Sequence, residues 1–314
     1  MSSGPILTYQ SPLLCKPQQF FFSACLRAVY YSDAALWTPL LNAAGTYILY
    51  QSSFAPGQYP YWFMADYGSA QLIVIAGTSN ADQWVGNILG TAQAMIAPWP
   101  GQINAYFGTT ANATFTNLSA SVGAGFPWQN VVIVGHSLGG ATANLLAYEL
   151  EINYPGCVSW VYTEGCPRIG NAEWAAGPTW PILAWRNTGD IVPLVPPLRG
   201  NQPSWIADQI AWGPCEDYYP VGDVWFCNTG GGIFTGTVGH LVQTDWGVLA
   251  QFLSQGVNAN ALSHATGAYA QRIYNWSGKA MGLVPKVQLG IDMPIVAGWQ
   301  QTFGFTGDGF VWSP

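Results

Sequence analysis

The stretch that decides the fold is VVIVGHSLGG, Val131–Gly140. Four β-branched residues lead into Gly-x-Ser-x-Gly, and the following segment, Ala141–Tyr148, is made of residues that favour a helix. The order predicts a buried strand, a sharp turn at Ser137 and a helix. The motif alone is a weak signal in a glycine-rich chain, but this strand-turn-helix context is the one that lifts a serine oxygen above a sheet. Ser137 is therefore the candidate nucleophile, with Gly135 and Gly139 expected where a Cβ would clash.

Strands and helices are predicted to alternate on both sides of this turn. Further strands are predicted at 61–66, 71–76, 102–107, 158–163 and 181–187, and further helices at 16–31, 34–41, 82–96, 113–122, 241–253 and 264–276. Such alternation predicts an α/β fold whose mostly parallel central sheet is covered by helices on both faces. We expect a single domain over 1–314, with N-terminal helices in 1–60.

The composition narrows the classes of ligand. Charged residues make up 7% of the 314-residue chain, against about 25% in an average soluble protein, and the net charge is −7 with eight Lys and Arg. This balance argues against nucleic acid and against electrostatic binding to anionic membranes, and it favours a neutral or apolar small molecule. The chain contains no run of eighteen apolar residues, so no transmembrane helix is predicted. Residues 1–10 lack the features of a signal peptide.

The six cysteines fall in local pairs: Cys15 with Cys25, Cys157 with Cys166, and Cys215 with Cys227. An even count in pairs is typical of disulfides in a secreted protein, and buried free thiols are the alternative. The spacing matches no zinc motif, so neither a metal nor a cofactor is expected. The cysteines are thus the main reason to expect an extracellular protein.

A serine hydroxyl needs a base and an acid that orients the base, and in this class of fold both follow the serine in the chain. His136 is adjacent to Ser137, so its side chain must point elsewhere, which leaves His240 and His264 as candidate bases. Asp190, just past the strand at 181–187, is the candidate acid. Glu164, at the end of an earlier strand, is its rival, and Asp190 could alternatively be an Asx-turn residue.

Four segments resemble blocks of the class 3 lipases, the fungal-type lipases of the α/β-hydrolase superfamily. They are Val134–Ala141 at the turn, Thr163–Asn171 with its Pro-Arg-x-Gly-Asn block, Asn187–Pro193 around Asp190, and Ile73–Thr78 with Trp84 and Asn87 downstream. The resemblance runs from about residue 61 to residue 270. Residues 282–314 form a C-terminal extension outside it.

The resemblance implies a role for each matching residue. The backbone amides of Thr78 and Leu138 would form an oxyanion hole, and residues 80–98 would be a lid, unless that segment is an ordinary surface helix. Ser263–Tyr269 resembles the His-x-x-x-x-Tyr segment of many relatives, which favours His264 as the base. His264 is separated from Asp190 by 74 residues (264 − 190). His240 is separated from Asp190 by 50 residues (240 − 190), and this shorter separation suits the fungal members better. Both histidines stay open as the base.

The resemblance implies a serine carboxylic-ester hydrolase with a Ser-Asp-His triad and an acyl-enzyme intermediate. The expected substrates are triacylglycerols or related lipid esters, for which an oil–water interface is one place of encounter. Aromatic (feruloyl-type) esters or polyesters are the alternatives. A catalytically silent lipase-fold binding protein and an acyltransferase are the other two hypotheses. Neither the oligomeric state nor the acyl-chain preference is predicted by the sequence.

Overall fold

The computed structural model describes part of the chain: residues 16–30, 38, 41, 46–53, 60–67, 69–78, 93–187, 189–196, 218–227, 233–235, 269, 305–306 and 309–310. Its helices of four or more residues are α1 (Lys16–Val29), α2 (Ala105–Val122), α3 (Leu138–Asn153) and α4 (Ala172–Ala176). Its strands are β1 (Thr46–Gln51), β2 (Trp62–Tyr67), β3 (Ala70–Ile75), β4 (Gln93–Ala94), β5 (Ile103–Asn104), β6 (Val131–His136), β7 (Val158–Glu164), β8 (Ile182–Asn187), β9 (Asp223–Cys227), β10 (Ile233–Thr235), β11 (Phe305–Thr306) and β12 (Gly309–Phe310).

Eight of the strands form one sheet in the order β1-β2-β3-β6-β7-β8-β9-β10. The central strands β3, β6, β7, β8 and β9 are parallel to one another. The strands β1 and β2 extend one edge and β10 the other, all by antiparallel pairing. The predicted mostly parallel sheet is therefore confirmed. The segments that follow its parallel strands all leave the sheet on the side where the carboxyl ends of these strands lie, here called the carboxyl edge of the sheet.

Both faces of the sheet are covered by helices, as predicted. Side chains alternate along the buried strands, so that Ile133 belongs to the core beneath α2 and α3 while its neighbour Val134 belongs to the core beneath α1. Phe107 of α2 and Leu145 of α3 are fully buried in the first core, and Leu26 of α1 in the second. A parallel sheet buried on both faces explains the uninterrupted apolar run of β6.

The segment before the central turn differs from the prediction. Residues 102–107 do not form one strand, because only Ile103 and Asn104 pair, and α2 begins at Ala105 instead of residue 113. The reason is a cap: the Asn104 side chain accepts hydrogen bonds from the backbone amides of Tyr106 and Phe107. The predicted helix 82–96 is also wrong at its end, since β4 pairs with β5, and residues 82–92 lie outside the described residues.

The expectation of disulfides is not confirmed. Cys25, Cys157 and Cys166 are buried free thiols. Cys157 precedes the seven-residue strand β7 and Cys166 follows it, which sets the two thiols about 23 Å or more apart along the strand direction. A disulfide needs Cα atoms within about 7 Å, so the pairing of Cys157 with Cys166 is wrong. Cys15, the predicted partner of Cys25, and Cys215, the predicted partner of Cys227, lie outside the described residues.

No described helix is long and apolar enough to cross a bilayer.

Candidate active site

Ser137 sits at the turn between β6 and α3 in a strained backbone conformation, with φ 58° and ψ −128°. A positive φ in a non-glycine residue is costly and persists only where the surrounding structure enforces it. The enforcement is steric: a Cβ on Gly135 would collide with the backbone of Gly139, and one on Gly139 with the carbonyl oxygens of Ile75 and Ala76. The predicted glycine-flanked turn is confirmed, with Ser137 directly before the first helical residue, Leu138.

The loop after β3 runs directly beside Ser137. Its nearest residue is Gly77, where an added methyl group would lie 2.6 Å from the Cβ of Ser137 and 2.8 Å from the carbonyl oxygen of His136. The next residue is Thr78, and its buried hydroxyl has no hydrogen-bond partner within the described parts of the chain. Thr78 and Leu138 therefore belong to the two segments that flank the serine.

Asp190 lies just past β8, at the same edge of the sheet as Ser137, and only 2% of it is exposed. One carboxylate oxygen, Oδ1, accepts a hydrogen bond from the amide of Val192 at 2.9 Å, which is the Asx-turn geometry considered as an alternative. The other oxygen, Oδ2, accepts a hydrogen bond from the Tyr269 hydroxyl at 2.5 Å. Asp190 thus makes the turn and also directs one oxygen toward a side chain from much later in the sequence.

Glu164, the rival acid, ends β7 and is fully buried. Burial raises the pKa of its carboxyl group to about 8, although a 2.8 Å hydrogen bond from the Tyr162 hydroxyl to Oε1 acts in the opposite direction. The group is therefore mostly protonated near neutral pH. A neutral carboxylic acid cannot stabilise a neighbouring imidazolium, so the electrostatics at Glu164 differ from those that a triad acid requires.

His136, the residue before Ser137, is buried. Its Nδ1 atom is 2.6 Å from the hydroxyl of Tyr30, the residue that follows α1. The imidazole ring also packs against the ring of Tyr269, with 6.0 Å between centroids and an interplanar angle of 74°. Neither tyrosine contact could be read from local sequence, since Tyr30 has only its position at the end of an apolar helix to distinguish it.

The Pro-Arg-x-Gly-Asn block supports this edge of the sheet. The amide of Arg168 donates to the carbonyl oxygen of Val195 at 3.0 Å, which anchors the segment that follows Asp190. The Asn171 side chain accepts hydrogen bonds from the amides of Trp174 and Gln102 at 3.0 and 3.2 Å. The block therefore fixes the loops around the site.

Of the predicted site residues, the structure describes Ser137, Leu138, Thr78 and Asp190 at one edge of the sheet. The candidate bases, His240 and His264, lie outside the described residues, as does most of the predicted lid. Within the described residues, no group of three or more His, Cys, Asp or Glu is placed to hold a metal ion.

The parallel sheet and the strained serine between β6 and α3 define an α/β-hydrolase fold. Comparison with known families agrees and is more specific. Residues 72–200 match the family model described as Lipase (class 3).

Two curated relatives carry lipase names. The chain is 37% identical over 94 residues to a lipase of Rhizomucor miehei, an alignment that covers 26% of each chain. It is 27% identical over 168 residues to the secreted mono- and diacylglycerol lipase 1 of Fusarium solani, which covers 50% of this chain and 49% of the relative. The chain therefore spans about a quarter and about half of the length of these relatives.

Solved structures support the fold. The lipase–propeptide complex of Rhizomucor miehei superposes with a TM-score of 0.55 at 21% identity, covering 69% of this chain and 70% of the other. A lipase of Rhizopus microsporus var. chinensis gives a TM-score of 0.53 at 18% identity, covering 73% and 82%. At this level of identity the likeness concerns the fold.

Proposed function

We propose that the protein is a serine carboxylic-ester hydrolase acting on lipid esters. The observation that carries the proposal is the strained conformation of Ser137 at the end of a buried parallel strand, pressed against the loop that contains Thr78. A strained residue persists only at a cost, and this turn holds a hydroxyl group between the loop after β3 and the first residues of α3. That is the geometry in which an alcohol attacks a carbonyl carbon.

The reaction proceeds in two stages. The Ser137 oxygen attacks the ester carbonyl while a histidine accepts its proton, and the resulting oxyanion lies between the amides of Thr78 and Leu138. The imidazolium, stabilised by Asp190, then protonates the leaving alcohol, which leaves an acyl-serine. Water attacks the acyl-serine with the same histidine as base, and the carboxylic acid departs as Ser137 regains its proton.

Asp190 is the better candidate for the acid than Glu164. Both are buried, but the raised pKa of Glu164 keeps that group largely neutral. Asp190 instead accepts hydrogen bonds from the amide of Val192 and the hydroxyl of Tyr269, which fix the direction of its two oxygens. An oriented carboxyl group at this edge of the sheet is what a catalytic imidazole needs as its partner.

His264 is the better candidate for the base. It is five residues from Tyr269, whose hydroxyl reaches Asp190, so chain length alone keeps the backbone of His264 within about 18 Å of that tyrosine. Separate His264→Ala and His240→Ala variants test the assignment: we expect the first to lose ester turnover and the second to keep it, and the reverse result would exchange the two roles.

Lipid esters are proposed because the family model is that of lipases and both curated relatives have lipase names. The low content of charged residues suits an uncharged acyl chain. Since the relative from Fusarium solani is named as secreted, we also propose an extracellular site of action. Assaying a series of esters of rising acyl length, below and above their solubility limits, would define the preference and reveal a moving lid by a rate jump at the limit.

The decisive test is Ser137→Ala. We expect loss of turnover of a chromogenic ester by about 10⁶-fold in kcat, with retention of the native circular dichroism spectrum. A fluorescent phosphonate should label the unmodified protein at Ser137 and fail to label the variant. Unlabelled native protein without ester turnover would favour a lipase-fold binding protein, and transfer of the acyl group to an added alcohol would favour an acyltransferase.

A further inference from the structure

The Tyr30 hydroxyl joins the two segments that flank the candidate nucleophile. It accepts a hydrogen bond from the amide of Gly77 at 2.7 Å and lies 2.6 Å from Nδ1 of His136. A phenol carries one proton and an amide N–H can only donate, so the hydroxyl proton is available to Nδ1. Burial raises the pKa of Tyr30 above its ordinary value despite the opposing Gly77 hydrogen bond, so the phenol keeps that proton.

The connection continues to the candidate acid. The His136 ring packs edge-on against Tyr30 at 5.6 Å and against Tyr269 at 6.0 Å between centroids. The Tyr269 hydroxyl donates a hydrogen bond to Asp190, and the Tyr269 hydroxyl oxygen accepts a hydrogen bond from the amide of Asn187 at 3.0 Å. Tyr30, His136 and Tyr269, here called the aromatic bridge, therefore link the loop after β3 to the segment after β8.

We propose that Tyr30 is a positioning residue for ester hydrolysis, which sets the loop that carries Thr78 against Ser137. The inference rests on the proposed function, since it assumes that the amide of Thr78 stabilises the oxyanion. Under this proposal, α1 and the residue after it help to position the site. Both lie outside residues 72–200, the part of the chain that matches the lipase family model.

The packing at Gly77 explains why a hydroxyl on Tyr30 can have this effect. A Cβ added to Gly77 would meet that hydroxyl on one side and the Cβ of Ser137 on the other, so the backbone there is confined between the two residues. Thr78 is the next residue, and a displacement of the Gly77 amide moves the peptide that follows. Removing an oxyanion donor outright costs about 10²- to 10³-fold in kcat, so releasing the loop while the donor remains should cost about tenfold.

The test is Tyr30→Phe, which keeps the ring and removes both hydrogen bonds. With a soluble short-chain ester we expect kcat to fall about tenfold and KM to stay within twofold. A boronic acid inhibitor, which forms a tetrahedral adduct with the serine, should bind about tenfold more weakly, because the adduct uses the same oxyanion site. A merely structural tyrosine would change thermal stability without changing these two values in parallel.

Tyr162→Phe is the matched control. The Tyr162 hydroxyl is also buried and also reaches the N-terminal helix, through the carbonyl oxygen of Gln19 at 3.3 Å, but it contacts neither Gly77 nor His136 in the described structure. We expect its kcat and boronate affinity to stay within twofold of the unmodified protein. Equal values for Tyr30→Phe and Tyr162→Phe would overturn the proposal.

A second pair of variants covers the case in which Tyr30→Phe does not fold. His136→Asn keeps an acceptor oxygen near the position of Nδ1, whereas His136→Leu removes it. The proposal expects the Asn variant to retain most of kcat and the Leu variant to lose about tenfold, and equal activity in the two would refute it. Ser137→Ala distinguishes failure of the proposed function from failure of the role of Tyr30. If Ser137→Ala stays active, the proposed function fails. If Ser137→Ala is inactive while Tyr30→Phe matches its control, only the role of Tyr30 fails.

Discussion

Replacing Glu164 by Gln should stabilise the protein above neutral pH, because this carboxyl group is buried where it cannot easily ionise. None of its surface is exposed, and burial raises its pKa from the ordinary 4.5 to about 8. The Tyr162 hydroxyl donates to Oε1 at 2.8 Å, and the hydroxyls of Tyr162 and Ser23 lower the pKa by less than burial raises it. Gln keeps the shape and an acceptor oxygen for Tyr162.

The sign and size of the effect follow from proton linkage. Below pH 4.5 the group is protonated in both the folded and the unfolded chain, so its ionisation does not affect stability. Between pH 4.5 and about 8 the unfolded chain releases the proton and the folded chain keeps it, so the free energy of unfolding falls by about 1.4 kcal/mol per pH unit. Over the gap of about 3.5 pH units (8 minus 4.5) the loss approaches about 5 kcal/mol, and above pH 8 it levels off.

The assay is urea unfolding followed by tryptophan fluorescence at pH 4, 6 and 8. We expect the free energy of unfolding of Glu164→Gln to exceed that of the unmodified protein by an amount that grows with pH, up to about 5 kcal/mol at pH 8 relative to pH 4. Glu173→Gln, at an exposed position of α4, controls for the removal of one charge. A difference that stays constant across this range would refute the reasoning, because Glu164 would then ionise as readily in the folded state as in the unfolded one.

Two further predictions concern the fold. Asn104→Ala should lower the free energy of unfolding by about 1–2 kcal/mol, because the amides of Tyr106 and Phe107 lose their acceptor. Thermal denaturation measures this loss, and Asn104→Ser, which provides a substitute cap, should recover part of the lost stability. Equal losses in the two variants would contradict a capping role. Titration with a thiol reagent in urea, without reductant, should detect at least three thiols, since Cys25, Cys157 and Cys166 are free and buried; fewer than three would restore the disulfide interpretation.

The local order of elements around Ser137 was readable from the sequence. A β-branched run, a Gly-x-Ser-x-Gly motif and a helix-favouring segment lie within about twenty residues, and their steric requirements are met by neighbours in the chain. The structure accordingly has β6, a strained Ser137 and α3 where they were predicted. The position of Asp190 after a buried strand was readable for the same reason.

Predictions failed where a single side chain outweighs the periodic pattern. Asn104 caps α2 and starts it at residue 105, although the prediction for residues 102–107 was a strand. The pairing of Cys157 with Cys166 looked plausible from their spacing, but the intervening residues form an extended strand that holds the two ends apart. Spacing along the chain gives a distance in space only once the secondary structure between two residues is known.

Neighbouring residues in the chain therefore specify the strand-turn-helix at Ser137, the alternation that buries both faces of the sheet and the class of chemistry that such a turn permits. The contacts of Tyr30 with His136, across 106 residues, and of Tyr269 with Asp190, across 79, arise only when the whole chain is folded. Periodicity and turn chemistry act over a few residues, whereas these contacts depend on the order of strands in the sheet and on where α1 packs against it. Neither the strand order nor the packing position of α1 is encoded by any short stretch of the chain.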